Sequence, residues 1–247
     1  MGAPRLYVND ALISHILPAE MPLPDAVAHH ALRVLRLREG DTVTLFSGDG
    51  GEYRATLTRV GKRGAHALVT SFVADDRESP IAVTLVQAIA SSETMDGIVR
   101  HGVELGVAAV QPVATARSAR FPDGAQGEKR IAHWRQVAIA ACEQCGRNRV
   151  PPVRDTVTLT GWLAARDASR AGIVLDPEAS GALRKIDTPV NGVDLLIGPE
   201  GGLTDDELAR VARAGLQRVR MGPRVLRTET ASLTALAAIN FLWGDLR

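Results

Sequence analysis

Two glycine-bearing turns near the C-terminus carry the residues best suited to chemistry. The apolar run Leu195-Leu196-Ile197 stops at Gly198-Pro199-Glu200-Gly201-Gly202. A second run, Val219 to Met221, stops at Gly222-Pro223 and re-enters a helical pattern through Arg227-Thr228-Glu229-Thr230. Turns at strand ends that each feed a helix are where α/β proteins usually hold ligands. The first turn has no Gly-Lys-Ser/Thr ending, so a P-loop is excluded, and it lacks the G-x-G-x-x-G spacing of a dinucleotide fold. Its glycines allow close backbone approach or positive φ. Glu200 and Glu229 could accept a proton, and Arg224 and Arg227 could stabilise negative charge developing on a substrate. A helix dipole alone would favour an acid at Glu229, whereas Arg227 at a helix start opposes the dipole.

Cys142-Glu143-Gln144-Cys145 holds both cysteines of the chain. A structural zinc site needs about four ligands and there is no second pair, so no metal is expected. The cysteines fall late in a helical pattern rather than at a helix start, which argues against a redox pair, and no obligatory disulfide is expected.

These residues need a scaffold to position them. Strands are predicted at Arg5 to Val8, Thr42 to Ser47, Tyr53 to Val60 and His66 to Phe72, with a short helix from Pro24 to Leu35. Gly48-Asp49-Gly50-Gly51 reads as a hairpin turn, and short strands at this spacing suggest a small barrel. Ala74 to Pro80 is charged and has no apolar periodicity, so it reads as a linker between a first domain, 1–73, and a second, 81–247. In the second domain, strands at Ile81 to Ile89, Ala108 to Val113, Gly172 to Leu175, Val193 to Ile197 and Arg218 to Met221 alternate with helices at Thr94 to Leu105 and Lys129 to Cys145 and after the last two strands. Such alternation implies an α/β fold with a mainly parallel sheet. Thr204-Asp205-Asp206-Glu207 is a capping box that starts a helix just after the first glycine turn.

The 247 residues carry a net charge of +1, so global charge does not announce a nucleic-acid partner. Lys62, Lys129 and Lys185 are the only lysines among the basic residues. The arginine bias fits either a GC-rich genome or phosphate recognition. Arg33 and Arg36, three apart on the expected helix, could face one groove. Aromatic residues make up 4%, too few for extensive base stacking. The N-terminus has no signal-peptide pattern and no apolar stretch is long enough to span a bilayer, so a cytoplasmic protein without a membrane partner is expected.

Taken together, the two turns closely resemble the signature of SPOUT-class RNA methyltransferases, in particular the RsmE-type 16S ribosomal RNA uridine-N3 methyltransferases. The resemblance rests on Gly198 to Gly202, Glu207, Gly222, Arg224-Val225-Leu226-Arg227 and Glu229-Thr230-Ala231. It continues upstream in Glu104-Leu105-Gly106-Val107, Pro112, Arg117-Ser118, Ala141, Glu143-Gln144 and Gly146-Arg147. Arg5, His30, Val34-Leu35-Arg36, Gly40-Asp41 and Gly48-Asp49-Gly50 are similar to the family's PUA-like RNA-binding barrel. The resemblance implies a C-terminal SPOUT-like parallel sheet with a trefoil knot, a rare exception to unthreaded chains, preceded by a small PUA-like β-barrel. It implies S-adenosylmethionine as cofactor, bound by Leu175, Gly198, Pro199, Glu200, Gly201, Gly202, Met221, Gly222 and Leu226, with Leu196 and Val225 as further apolar walls. It implies a homodimer with the site completed across the interface, and 16S ribosomal RNA or the small ribosomal subunit as partner, contacted by Arg5, His30, Arg33 and Arg36. Glu200 or Glu229 as proton acceptor, and Arg224 or Arg227 as charge stabiliser, remain alternatives. Lysines frequent in the family near Ser91 and His101 are absent. Two other readings stay open: a SPOUT methyltransferase for another RNA position, and a non-catalytic RNA-binding assembly factor.

Overall fold

The computed structural model describes residues 2–8, 16–61, 64–122 and 124–246. Contacts divide the chain into two units, one of Met1–Glu78 with Cys142–Val150 and one of Ser79–Ala141 with Pro151–Arg247.

In the first unit, alternating apolar residues make β1 (Arg5–Tyr7), β2 (Ala19–Pro22), β3 (Thr42–Phe46), β4 (Glu52–Gly61) and β5 (Gly64–Val73). They form a five-stranded sheet in the order β1-β3-β4-β5-β2, with β1 parallel to β3 and the other pairs antiparallel. Tyr53, Ala55 and Leu57 turn to the core every second residue and meet Leu6, Val43, Leu45, Ala67 and Val69. A register shift at Arg54/Ala55 marks a bulge in the long β4–β5 pair. β2 was not anticipated, because Ala19-Glu20-Met21-Pro22 has one buried residue, Met21, and no β-branched side chain.

The expected helix is present but changes pitch. α1 (Asp25–His29) runs directly into a π-helical turn at His30–Val34. Arg36 then adopts the left-handed conformation, with φ 57, usual for glycine at a helix end.

The segment Ala74 to Pro80 is not a solvated linker over its first part. Arg147 donates to Glu78 from Nε at 2.9 Å, Arg149 pairs with Asp76 at 2.6 Å, and Asn148 donates to the Asp75 carbonyl at 2.7 Å. Cys142–Val150 therefore belongs with the first unit, whereas the sequence-based boundaries left it in the second. The turn at Gly48 is engaged by the same segment: Gly48 and Asp49 each bridge to Arg149.

The second unit holds β6 (Val83–Ala88), α2 (Ser92–Glu104), β7 (Ala109–Ala114), α3 (Gly124–Cys145, its last residues counted in the first unit), β8 (Val157–Thr158), α4 (Leu159–Ala165), β9 (Ala171–Leu175), β10 (Val193–Ile197), α5 (Asp205–Arg213), β11 (Gln217–Val219) and α6 (Thr228–Trp243). The strands form one six-stranded sheet in the order β11-β9-β10-β6-β7-β8, with every pair parallel. Both faces are covered, so all six residues of β6 and all five of β10 are buried. β8 and α4 were not anticipated, for each is short and Val157 and Thr158 are exposed. At the N-terminal edge of the sheet, Asp194 is buried between two guanidinium groups, Arg170 at 2.8 Å and Arg166 at 3.5 Å.

Candidate active site

β11, β9 and β10 lie side by side and run the same way, so their C-terminal ends open on one edge of the sheet. The chain leaves β9 through Asp176-Pro177-Glu178, β10 through Gly198 to Leu203 and β11 through Arg220 to Arg227. These three connections enclose a pocket of about 720 Å³, whose apolar wall includes Leu175, Ile197, Leu203, Leu208, Val219, Met221, Val225 and Leu226. Thr94, Asp176, Glu178, Glu200, Asp205, Arg220, Arg224, Arg227, Thr228 and Glu229 add polar groups to its lining.

The first turn is held from three sides. Internally, the Gly202 amide donates to the Pro199 carbonyl at 2.8 Å, and Gly202 has φ 70, which suits glycine. Below it, the capping box forms as expected: Glu207 accepts from the Thr204 amide at 2.9 Å while Thr204 Oγ1 accepts from the Glu207 amide. The other oxygen of the buried Glu207 accepts from the Ala116 amide at 2.8 Å, tying the loop after β7 to the start of α5. On the rim, Arg117 donates to the Gly201 carbonyl at 2.9 Å, and Glu200 accepts from the Ser91 amide at 3.2 Å, at the N-cap of α2.

The second turn pivots on Gly222, with φ 83, whose carbonyl accepts from Arg220 Nε at 2.8 Å. It ends at α6, where Thr228 Oγ1 donates to the Gly198 carbonyl at 2.7 Å and so joins this turn to the first. Arg227 occupies the N-cap of α6 without a side-chain capping bond, and Glu229 lies in the first turn. Arg224 and Arg227 are exposed and make no ion pair among the described residues. The Arg224 and Arg227 guanidinium groups and the Glu229 carboxylate of this turn thus line a half-apolar cavity.

All four candidate catalytic residues, Glu200, Arg224, Arg227 and Glu229, line this pocket, as do Leu175, Gly198, Pro199, Gly202, Met221, Gly222, Val225 and Leu226. Two expected cofactor residues do not. Leu196 is fully buried in the core with Val86, Val174 and Val211, because strand alternation turns it away from its neighbour Ile197, which does line the pocket. Gly201 lies outside the lining, and a Cβ built there would stand 3.2 Å from the Arg117 side chain. Sequence reasoning missed Asp176, Pro177 and Glu178, although an Asp-Pro pair at a strand end is the same signal that marked the other two turns. Thr94 had no signal, for it reaches the site from a helix distant in sequence.

In the first unit, Arg5 is withdrawn as a phosphate contact. Its Nη1 donates to Glu52 at 2.6 Å, its Nη2 to Asn148 and to the Arg147 carbonyl, and its guanidinium lies over the Phe46 ring. Arg33 and Arg36 are exposed, but Arg36 lies beyond the π-helical turn in a left-handed conformation, so the three-residue helical spacing does not relate them. His30 is half-buried at the start of that turn. Cys142 is buried and Cys145 half-buried, both as free thiols; burial pushes the Cys142 thiol up to about 12, against the opposing Arg147 charge.

Comparison with known proteins matches this architecture along its length. Residues 77–240 fit the family model of the RNA methyltransferase domain, and residues 23–70 that of the RNA methyltransferase PUA domain. Ribosomal RNA small subunit methyltransferase E of Bacillus subtilis is 35% identical over 89% of this chain and 89% of its own length. That of Mycobacterium bovis is 36% identical over 86% of this chain and 83% of its own. A crystal structure of the same enzyme from Neisseria gonorrhoeae, bound to S-adenosyl methionine, is 37% identical and superposes with a TM-score of 0.92 over all of both chains. A Legionella pneumophila protein solved with the same cofactor is 34% identical, with a TM-score of 0.94 over all of both chains. No helix of the described residues is long and apolar enough to cross a membrane.

Proposed function

The chain belongs to the ribosomal RNA small subunit methyltransferase E family, and on that premise we propose that it moves a methyl group from S-adenosylmethionine to N3 of one uridine in 16S ribosomal RNA. The observation that carries this reading is the convergence of three adjacent strand ends on one pocket. The pocket fits the cofactor chemically. Leu175, Ile197, Val219 and Leu226 offer an apolar wall for a purine, the glycine turns bring backbone close, and Asp176, Glu178, Glu200 and Asp205 supply acceptors for ribose hydroxyls and an ammonium group.

When bound, S-adenosylmethionine supplies a methyl group on a sulfonium, an electrophile that needs no covalent enzyme intermediate. The task left to the protein is to make the uracil nitrogen nucleophilic. Neutral uridine carries a proton on N3, which must leave as the nitrogen–carbon bond forms and the sulfur–carbon bond breaks. Arg224 and Arg227 meet the negative charge that then spreads over the flanking carbonyl oxygens. Glu229 takes the proton, because Glu200 already accepts from Ser91 whereas Glu229 accepts no bond among the described residues.

The same reading includes a knot threaded by the strand-end connections of the second unit. It also includes a homodimer that completes the site, supported by the apolar side chains Phe241, Leu242 and Leu246 left exposed at the end of the chain. Arg33, Arg36 and His30 remain the candidate RNA contacts of the first unit.

Two measurements test the proposal. Calorimetric titration should show S-adenosylmethionine binding, and no binding at millimolar cofactor would refute an enzyme and favour an assembly factor. Nucleoside mass spectrometry of small-subunit RNA treated with the protein should show 3-methyluridine. A methylated product at any other position would point to a different RNA target for the same fold.

A further inference from the structure

We propose that Gln87, which stands behind the pocket and does not line it, is a positioning residue for the methyl-donor site: it sets the separation of the two glycine turns through Thr228. The inference rests on the proposed use of that pocket for S-adenosylmethionine.

Gln87 is fully buried on β6, in a strand otherwise made of Val83, Thr84, Leu85, Val86 and Ala88. An amide in such a place is costly unless each of its groups finds a partner. Its partners lie at the site. Nε2 donates to its neighbour's carbonyl, Ala88 O, at 2.9 Å and to Thr228 Oγ1 at 3.0 Å, while Oε1 lies 2.7 Å from Ser232 Oγ, whose one hydroxyl hydrogen it shares with the Thr228 carbonyl at 2.8 Å. Thr228 Oγ1, having accepted from Gln87, donates its own hydroxyl hydrogen to the Gly198 carbonyl at 2.7 Å. The polarity of this chain is fixed, since a flipped amide would set its oxygen against the Ala88 carbonyl.

The geometry makes the chain a spacer. β6 pairs with β10 so that Gln87 lies opposite Ile197, the residue before Gly198. Thr228 and Ser232 stand one helical turn apart at the start of α6, directly after the second glycine turn, so Gln87 grips that turn's exit from behind. The Thr228–Gly198 bond is the one hydrogen bond between the two turns among the described residues. Its donor is oriented because the lone pair facing Gln87 is taken. Polar groups behind a site that lock the groups in front of it commonly set how well a ligand is held.

The test compares cofactor affinity with fold stability in the full-length protein. Gln87→Met keeps length and volume and removes the donors and the acceptor. It should raise the Kd for S-adenosylmethionine and for S-adenosylhomocysteine, and the KM for the former, by about tenfold. Thr228→Val should do at least as much, and Thr228→Ser, which keeps the hydroxyl, should restore affinity to within about twofold. The double variant Gln87→Met/Thr228→Val should bind no worse than Thr228→Val, since both cut one chain. If Gln87→Met lowers only the melting temperature and leaves Kd and KM unchanged, or if the two losses add, the positioning role is wrong. If the unaltered protein binds no S-adenosylmethionine, the pocket reading itself fails, and this inference with it.

Discussion

Arg227 sits at the N-cap of α6 with an exposed guanidinium, at a helix end where positive charge is disfavoured. Arg5 has the same side chain, but the Glu52 carboxylate, the Asn148 amide oxygen and a carbonyl enclose it. The two should therefore fail differently. Arg227→Ala is expected to lower kcat by about a hundredfold with an unchanged melting temperature. Arg5→Met should leave Glu52 uncompensated and cost about 3 kcal/mol in a urea melt. The sequence made both arginines visible but not the difference between them, because a guanidinium's partners come from distant parts of the chain. Cys142 makes a second case. Its folded pKa of about 12 exceeds the ordinary 9.0, so the folded state keeps the proton where the unfolded chain releases it. The contribution is intact below pH 9.0 and is lost as pH rises from there toward about 12. A thiol reagent at pH 8 should label Cys145 and leave Cys142 unmodified until the protein unfolds; equal labelling of both would contradict the burial.

At the scale of elements, the strands of the parallel sheet were legible because buried strands read as continuous apolar runs, and Val193–Ile197 is found at its predicted bounds. The start of α5 was legible through the capping box at Thr204, whereas α3 begins at Gly124, five residues before the expected Lys129. What escaped were β2, β8 and α4, elements too short to show a period, and the π-helical turn at His30–Val34. The site was legible where glycine marks a turn and illegible where a core strand contributes one polar residue, as β6 does with Gln87. At the edge of the sheet away from the pocket, the one carboxylate of Asp194 pairs with both Arg166 and Arg170. Asp194→Ala would leave the largely buried Arg166 and the partly buried Arg170 without this counter-charge. It should cost about 3–5 kcal/mol of unfolding free energy by chemical denaturation, while cofactor affinity of the surviving folded fraction stays unchanged.

At the scale of the molecule, the exposed apolar end of α6 is the feature that a single chain leaves unexplained. Phe241 is 67% exposed, next to Leu242 and close to Leu246. If a second copy covers it, Phe241→Asp should shift sedimentation equilibrium from dimer to monomer and lower methyl transfer at equal protein concentration. A variant that stays dimeric and active would place the interface elsewhere. The division of the chain was legible in part: the change from antiparallel to parallel patterning fell near residue 78, but the return of Cys142–Val150 to the first unit did not show. Its charges look like the solvated end of a helix until Glu78, Asp76 and the Asp75 carbonyl are seen to meet them.

That return has a temporal consequence. A chain emerges from the ribosome N-terminus first, and domains generally fold in that order. Here the first unit lacks Arg147, Asn148 and Arg149 until synthesis has passed Val150, by which point β6 and β7 have already emerged. A fragment ending at Glu78 should be markedly less resistant to proteolysis than the same unit in the full chain, its acidic residues Asp76 and Glu78 left without Arg149 and Arg147. The segment first to be made thus waits for residues synthesised after the second unit has begun, and neither unit is one continuous stretch of nascent chain.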